Sequence, residues 1–284
     1  VLLTAFVGYA WARTGAGFDT KGVTQMVSMV FAPALIFSAL TTADTEPSQL
    51  LAAAGAILLC MALAGLLGVA LLRALKAPMR VYLPVLMFPN FGNMGAPICY
   101  FAFGDEGLAY AIAIWTAISV AVWTLGLWIA SGDLSPRKAL FQPPVLAAVA
   151  AIAAVGLAFT PPTWAMNSLE LLAAPTIPLM LIALGVSLAT MKVASVRLAV
   201  GLGAARLFGG MAIGFGVAEA LQLEGVLRGV VILQSSMPSA VFNFLFAHIY
   251  DRRPEEVAGV IVASTAMSLV TIPLLLAYLM AGAP

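Results

Sequence analysis

The feature that most constrains this sequence is a succession of long apolar stretches separated by short polar loops. An α-helix needs about 20 apolar residues to cross the hydrocarbon core of a bilayer. Ten stretches are candidate spans, and all but the short first one approach or exceed that length: residues 1–13, 22–43, 49–72, 81–103, 107–131, 143–160, 169–190, 197–218, 226–249 and 256–281. The loops between them contain the Gly, Pro, Ser and Asp residues that end helices. We therefore predict an all-α membrane protein with ten transmembrane helices, called spans one to ten.

The scarcity of charge supports this prediction and excludes several classes of protein. Only 9% of the residues are charged and 63% are hydrophobic, whereas about a quarter of an ordinary soluble protein is charged. So few charges cannot cover the surface of a soluble globule, and they give neither a disordered chain nor the basic surface of a nucleic-acid binder. Lipid is the expected environment, and no nucleic-acid partner is expected.

The few charged residues lie almost entirely in loops, with the basic ones on one side. Eleven basic residues fall in the loops that follow odd-numbered spans: Arg13, Lys21, Arg73, Lys76, Arg80, Arg137, Lys138, Lys192, Arg197, Arg252 and Arg253. The other side has Arg228 and most of the acidic residues, which are Asp44, Glu46, Asp105, Glu106, Glu170, Glu219 and Glu224. Basic loops stay in the cytoplasm. This pattern predicts a multi-pass protein of the plasma (inner) membrane with both termini outside.

The ten spans divide into two halves of five, residues 1–142 and 143–284. Placing Pro89 of span four on Pro238 of span nine also places Glu106 on Glu255 without a gap. Five is an odd number, so the second half would be inverted in the membrane relative to the first. Inverted repeats of this kind are frequent in secondary transporters.

Spans four and nine each have a proline near their centre, surrounded by small and amide residues. A proline in mid-helix removes a backbone donor and frees a carbonyl, which lipid cannot satisfy. Paired broken helices indicate a transporter binding site, and the helix N-termini that follow the breaks favour an anion. The alternative is that the prolines are kinks and the small residues serve close packing. The candidate substrate-binding residues are Pro89, Asn90, Gly92, Asn93, Gly95, Gln234, Ser235, Ser236, Pro238, Ser239 and Asn243.

Two further residues outside these spans are candidates. Arg206 is the one basic residue well inside a span, and such residues are functional by default. It would act as a counter-charge for the substrate or as the partner of a helix C-terminus, or its long side chain would reach the cytoplasmic interface. Ser38 on span two would face the same site from the opposite side.

Three segments carry a resemblance to a known family. Residues 88–97 read FPNFGNMGAP and are followed by FGDEG at 103–107; residues 234–240 read QSSMPSA and are followed by HIY at 248–250. Span seven contains IALGVSL at 182–188. These motifs resemble signatures of the auxin efflux carrier family, and the resemblance covers nearly the whole chain. The chain has no long central hydrophilic loop, and in this respect it resembles the compact bacterial members of the family.

The resemblance implies the fold of the bile acid:sodium symporters. In that fold, spans one, two, six and seven form a scaffold, while spans three to five and eight to ten form a core transport domain. The broken spans four and nine cross in the core and form the substrate site. The family carries organic anions, such as auxin or dicarboxylates like malonate and malate. An elevator-like movement of the core and a homodimer through the scaffold are also implied.

The expected function is a secondary transporter of a small organic anion, not an enzyme, and no cofactor is expected. The sequence has a single histidine and lacks a GxxxxGK[ST] loop, which argues against zinc chemistry and direct use of ATP. The coupling ion, proton or sodium, stays open, since no acidic residue lies well inside a span. The alternatives are a sodium-coupled carrier of the bile-acid type and, less favoured, a channel or a non-transporting receptor, because no filter motif is present.

Overall fold

The computed structural model of the chain describes residues 2–42, 45–126, 128–129, 141–157, 159–191 and 195–281. Within these ranges the chain is helical and has no strand beyond one isolated bridge, which joins Pro89 and Ser239. Six of the described helices are long and apolar enough to cross a membrane: Gly22–Thr42, Pro47–Ala74, Phe91–Gly126, Thr163–Thr190, Val196–Ala220 and Pro254–Ala281. The prediction of an all-helical membrane protein is confirmed, whereas ten spans in two inverted repeats stay a prediction.

Five predicted spans each correspond to one uninterrupted helix. These helices are Leu2–Arg13, Pro47–Ala74, Pro143–Gly156, Val196–Ala220 and Pro254–Ala281. Span two consists of Thr20–Met26, a π-helical turn Val27–Phe31 and the helix Ala32–Thr42. Span seven begins earlier than predicted, as Thr163–Ala173, and continues as Thr176–Thr190 beyond Pro175.

Spans four and nine are broken at the predicted prolines. Span four begins as Met79–Met87, and after an extended segment it resumes with the π-helical turn Phe91–Gly95 and the part of Ala96–Ala121 that precedes Gly104. Span nine consists of Gly225–Ser235 and Phe242–Ile249. Neither proline is part of a helix, in agreement with the loss of the N–H donor at each position.

A single glycine separates spans four and five. Gly104 has φ 64° and ψ −151° between helical neighbours, a conformation that is essentially restricted to glycine. A Cβ on Gly107 would stand 2.7 Å from the carbonyl oxygen of Cys99. Residues eight apart in a straight helix would be about 12 Å apart, so the chain reverses here. The apolar run Phe91–Gly126, counted above as one of the six long helices, is therefore two helices joined by a tight turn.

The helices of spans one, two, six and seven pack on one another. Leu2–Arg13 lies along Thr176–Thr190, and Ala32–Thr42 packs on Pro143–Gly156. The first contact is between backbones, because a Cβ on Gly185 would overlap the carbonyl oxygen of Ala5. Small residues allow this close approach of membrane helices.

The remaining helices surround the breaks of spans four and nine. Val196–Ala220 packs on Pro254–Ala281, Gly225–Ser235 and Pro47–Ala74. The helix Pro47–Ala74 also contacts Met79–Met87 and Ala96–Ala121. Large buried side chains, Phe88 among them, fill the space between these helices. This packing holds the two breaks at the centre of the helices that surround them.

Part of the predicted topology falls outside the described ranges. The segment 130–140, which contains most of the link between the predicted halves, is one such part. Four of the charged residues used for orientation also lie outside: Asp44, Arg137, Lys138 and Lys192. The orientation of the termini remains a prediction from the charges of the sequence.

Candidate functional site

The breaks in spans four and nine meet and bind each other through their backbones. The Asn90 N–H donates to the carbonyl of Pro238 at 2.7 Å, and the Ala240 N–H donates to the carbonyl of Phe88 at 3.2 Å. These bonds form an antiparallel bridge that pairs Pro89 with Ser239. Two segments far apart in sequence thus satisfy each other's backbone inside the protein, at a point called the crossing below.

The pairing explains why prolines are tolerated at the crossing. The bridge uses the N–H and C=O groups of the residues that flank Pro89 and Ser239, so an N–H at Pro89 itself is not needed. The N–H of Ser239 points elsewhere and donates to the Ser264 hydroxyl at 3.2 Å. The residue that pairs with Pro89 is therefore Ser239, and Pro238, its equivalent in the second half, lies opposite Asn90.

Three amide side chains at the crossing have unsatisfied polar atoms. Asn243 donates through Nδ2 to the Phe88 carbonyl and the Ser239 hydroxyl, at 3.3 and 3.0 Å. Its Oδ1, the Nδ2 of Asn90, and both polar atoms of Gln234 have no hydrogen-bond partner among the described residues. Gln234 is fully buried and Asn90 is 3% exposed. Each such group costs about 1–3 kcal/mol unless a ligand or water satisfies it.

The predicted glycines let other side chains approach the crossing. A Cβ on Gly95 would overlap the Gln234 amide, and a Cβ on Gly92 would stand 3.3 Å from the Trp115 ring and 3.5 Å from Met180. Asn93 between them is only partly buried. Sequence reasoning did not select Trp115 or Met180, although the depth of Trp115 within span five was a usable signal.

Three predicted hydroxyls are engaged within their own helices. Ser235 and Ser236 donate to the Ile232 carbonyl at 2.9 and 2.6 Å, and Ser38 donates to the Leu35 carbonyl at 3.2 Å. All three side chains are buried. The structure brings Ser235 and Ser236 next to the crossing, whereas Ser38 lies on a different helix and its hydroxyl does not bond to the crossing.

Arg206 binds the crossing through backbone carbonyls. Its Nε donates to Met237 at 3.2 Å, its Nη1 to Leu86 at 2.9 Å and its Nη2 to Ser235 at 2.6 Å. The residue is 3% exposed, so its guanidinium stays within the protein. Sequence reasoning selected this residue, but the identity of its acceptors depends on how the two breaks are arranged in space.

A small, mostly apolar cavity lies beside Arg206, on the side of the crossing that faces Pro47–Ala74 and Val196–Ala220. It is lined by Cys60, Met87, Pro89 and Ser235, among others. Gly92 has other neighbours, Trp115 and Met180, which do not line this cavity. The carbonyl ends of the broken helices thus lie beside Arg206, and the helix start at Gly92 lies beside Trp115.

Comparison with known proteins identifies a family of membrane transporters. The sequence profile of the family described as membrane transport protein matches residues 1–133 and 129–276. An uncharacterized transporter of Methanocaldococcus jannaschii is 27% identical over an alignment of 293 residues. The alignment covers 96% of this chain and 95% of that protein. An uncharacterized transporter of Methanothermobacter thermautotrophicus is 30% identical over 295 residues, covering 96% and 94%. The chain thus belongs to the membrane transport protein family, which is the auxin efflux carrier family that its motifs resemble.

Proposed function

We propose that this membrane transport protein is a secondary transporter of a small organic anion and that the crossing is its substrate site. The observation that carries the proposal is the set of buried amides without partners, from both broken spans, at one point. Asn90 Nδ2 and Gln234 Nε2 are donors, which suit the oxygen atoms of a carboxylate. Buried polar atoms of this kind indicate a ligand when several converge.

The helix ends at the crossing favour a negative charge on that ligand. The helical segments that begin at Phe91 and Phe242 start immediately after the breaks. Three N–H groups of these first turns already have acceptors, since Phe91 donates to Pro89, Asn243 to Ala240 and Phe244 to Val241. The attraction for an anion therefore comes from the helix end as a whole, which is equivalent to roughly half a positive charge. The amide side chains themselves are neutral, so selection for an anion falls to these two helix ends.

The transport mechanism proposed is alternating access of the elevator type. Its support is the packing of spans one, two, six and seven on each other and of the other helices around the crossing. Met180 of span seven contacts Gly92 at the boundary between these two groups. In this proposal the chain has ten spans in two inverted repeats, 1–142 and 143–284, and the first group is the scaffold through which a homodimer forms.

A ligand screen followed by one matched pair of variants tests the substrate site. Purified protein is screened by thermal shift against small mono- and dicarboxylates, with and without sodium and across pH. For any carboxylate that raises the melting midpoint, Asn90→Ala is expected to weaken binding about 10- to 100-fold, since a hydrogen bond to a charged group contributes about 1.5–3 kcal/mol. Asn167→Ala changes an asparagine outside the crossing, on the helix Thr163–Ala173, and is the control.

The outcomes separate the alternatives. Binding that is unchanged within about twofold in Asn90→Ala would place the substrate elsewhere. A midpoint that rises only when sodium accompanies the carboxylate would favour the sodium-coupled carrier. Ligand binding without uptake into liposomes would favour a receptor, and single-channel currents in a planar bilayer would favour a channel.

A further inference from the structure

We propose that Arg206 is a positioning residue, which satisfies and neutralises the ends of both broken helices and so leaves the crossing selective for anions. The effect on anion selectivity rests on the proposed substrate site. The hydrogen bonds of Arg206 to the broken helices do not depend on it. In this role the Arg206 side chain binds backbone carbonyls and does not contact the substrate.

The first argument is that Arg206 binds the carbonyls that the two breaks leave without helical partners. In an unbroken helix the Leu86 carbonyl would accept from the N–H of residue 90, but the Asn90 N–H donates to Pro238. The Ser235 carbonyl would accept from residue 239, whose N–H donates to Ser264. Arg206 donates to both of these carbonyls, at 2.9 and 2.6 Å.

The second argument concerns charge. The C-terminal end of a helix is equivalent to roughly half a negative charge, and two such ends, at Met87 and Ser235, meet at the crossing. Together they amount to about one negative charge, which the guanidinium of Arg206 offsets. The partial positive charges at the helix starts, Phe91 and Phe242, then attract an anionic substrate without being offset by the partial negative charges at Met87 and Ser235.

The third argument is that most of the guanidinium is already engaged and buried. Three of its five N–H groups donate to carbonyls, and the residue is 3% exposed. No acidic side chain of the described ranges lies within salt-bridge distance of it. The planar fork of arginine fits several acceptors at fixed angles, so lysine cannot reproduce all three bonds.

Hydrogen–deuterium exchange of the ligand-free protein tests this role. The variants are Arg206→Gln, which removes the charge, and Arg206→Lys, which keeps it. Arg197→Gln changes an exposed arginine of the same helix and is the control. We expect exchange in peptides covering 86–96 and 235–245 to accelerate by about tenfold or more in Arg206→Gln, because the crossing amides open locally, and by less in Arg206→Lys.

Exchange at the crossing that is unchanged within about twofold in Arg206→Gln overturns the proposal. If a separate binding measurement then shows that this variant has lost carboxylate binding, Arg206 is a counter-charge for the substrate. If Arg206→Gln does not yield folded protein, Arg206→Lys decides: acceleration confined to the two peptides supports the proposal, and exchange equal to wild type overturns it. Because no ligand is added, failure of the proposed substrate site would leave this test intact.

Discussion

Adding one methyl group to Gly210 of Val196–Ala220 provides a sharp test of how closely spans eight and nine approach. A Cβ there would overlap the carbonyl oxygen of Ser235 and stand 3.2 Å from Nη2 of Arg206. A Cβ on the adjacent Gly209 would have no such neighbour within 4 Å. Gly210→Ala and Gly209→Ala therefore make the same chemical change on neighbouring residues of one helix.

The expected cost follows from the movement that Gly210→Ala requires. The Ser235 carbonyl must retreat by about 1 Å to restore a normal contact, and overpacking of this kind costs about 1–3 kcal/mol. The retreat also weakens the 2.6 Å bond from Arg206, in which a charged donor contributes about 1.5–3 kcal/mol. Both alanines gain about 0.8–1 kcal/mol of helix propensity. We expect a net loss of about 1–4 kcal/mol for Gly210→Ala, and a small gain for Gly209→Ala.

The assay is thermal unfolding of both purified variants in one detergent at one scan rate. One kcal/mol moves the midpoint of a chain of this size by about 2–4 °C, so Gly210→Ala is expected several degrees below wild type. Gly209→Ala is expected at or slightly above it. A Gly210→Ala midpoint equal to or above that of Gly209→Ala would refute the close contact between Gly210 and Ser235.

Two more variants probe other contacts. Gly185→Ala places a methyl group against the backbone of span one and is expected to lower the melting midpoint. Gly201→Ala places it in open space and should leave the midpoint unchanged. Equal midpoints for the two variants would contradict the close packing of spans one and seven. Tyr82→Phe removes a hydrogen bond to the Glu256 carboxylate and should cost about 1 kcal/mol, measured against Tyr100→Phe. A loss that persists when Glu256 is already Ala would assign the effect to something other than this bond.

The sequence contained enough information to locate the breaks and to select most side chains at the crossing. Pro89 and Pro238 each remove a donor in mid-span, a purely local effect, and both helices do end there. The amides Asn90, Gln234 and Asn243 followed from the cost of placing polar groups in a membrane, and all three are buried. These inferences needed no knowledge of the neighbouring helices.

The rest depended on tertiary arrangement. The pairing of Pro89 with Ser239 follows from which N–H groups the two segments can exchange, and an alignment of the two halves does not predict it. The sequence could not name the acceptors of Arg206. They are backbone carbonyls of Leu86, Ser235 and Met237, which come together only where the two broken helices cross. Trp115 approaches the site only because Gly92 of another helix lies against it.

The backbone bridge at the crossing also has a consequence for synthesis of the protein. Asn90 donates to Pro238, which leaves the ribosome about 150 residues later, and elongation at about 5–20 residues per second makes this an interval of roughly 8–30 s. During that time the break in span four has no partner for its backbone within the chain. The first half is therefore expected to wait in the translocon or on an insertion chaperone until span nine emerges, and a chain stopped before span nine is expected to be degraded.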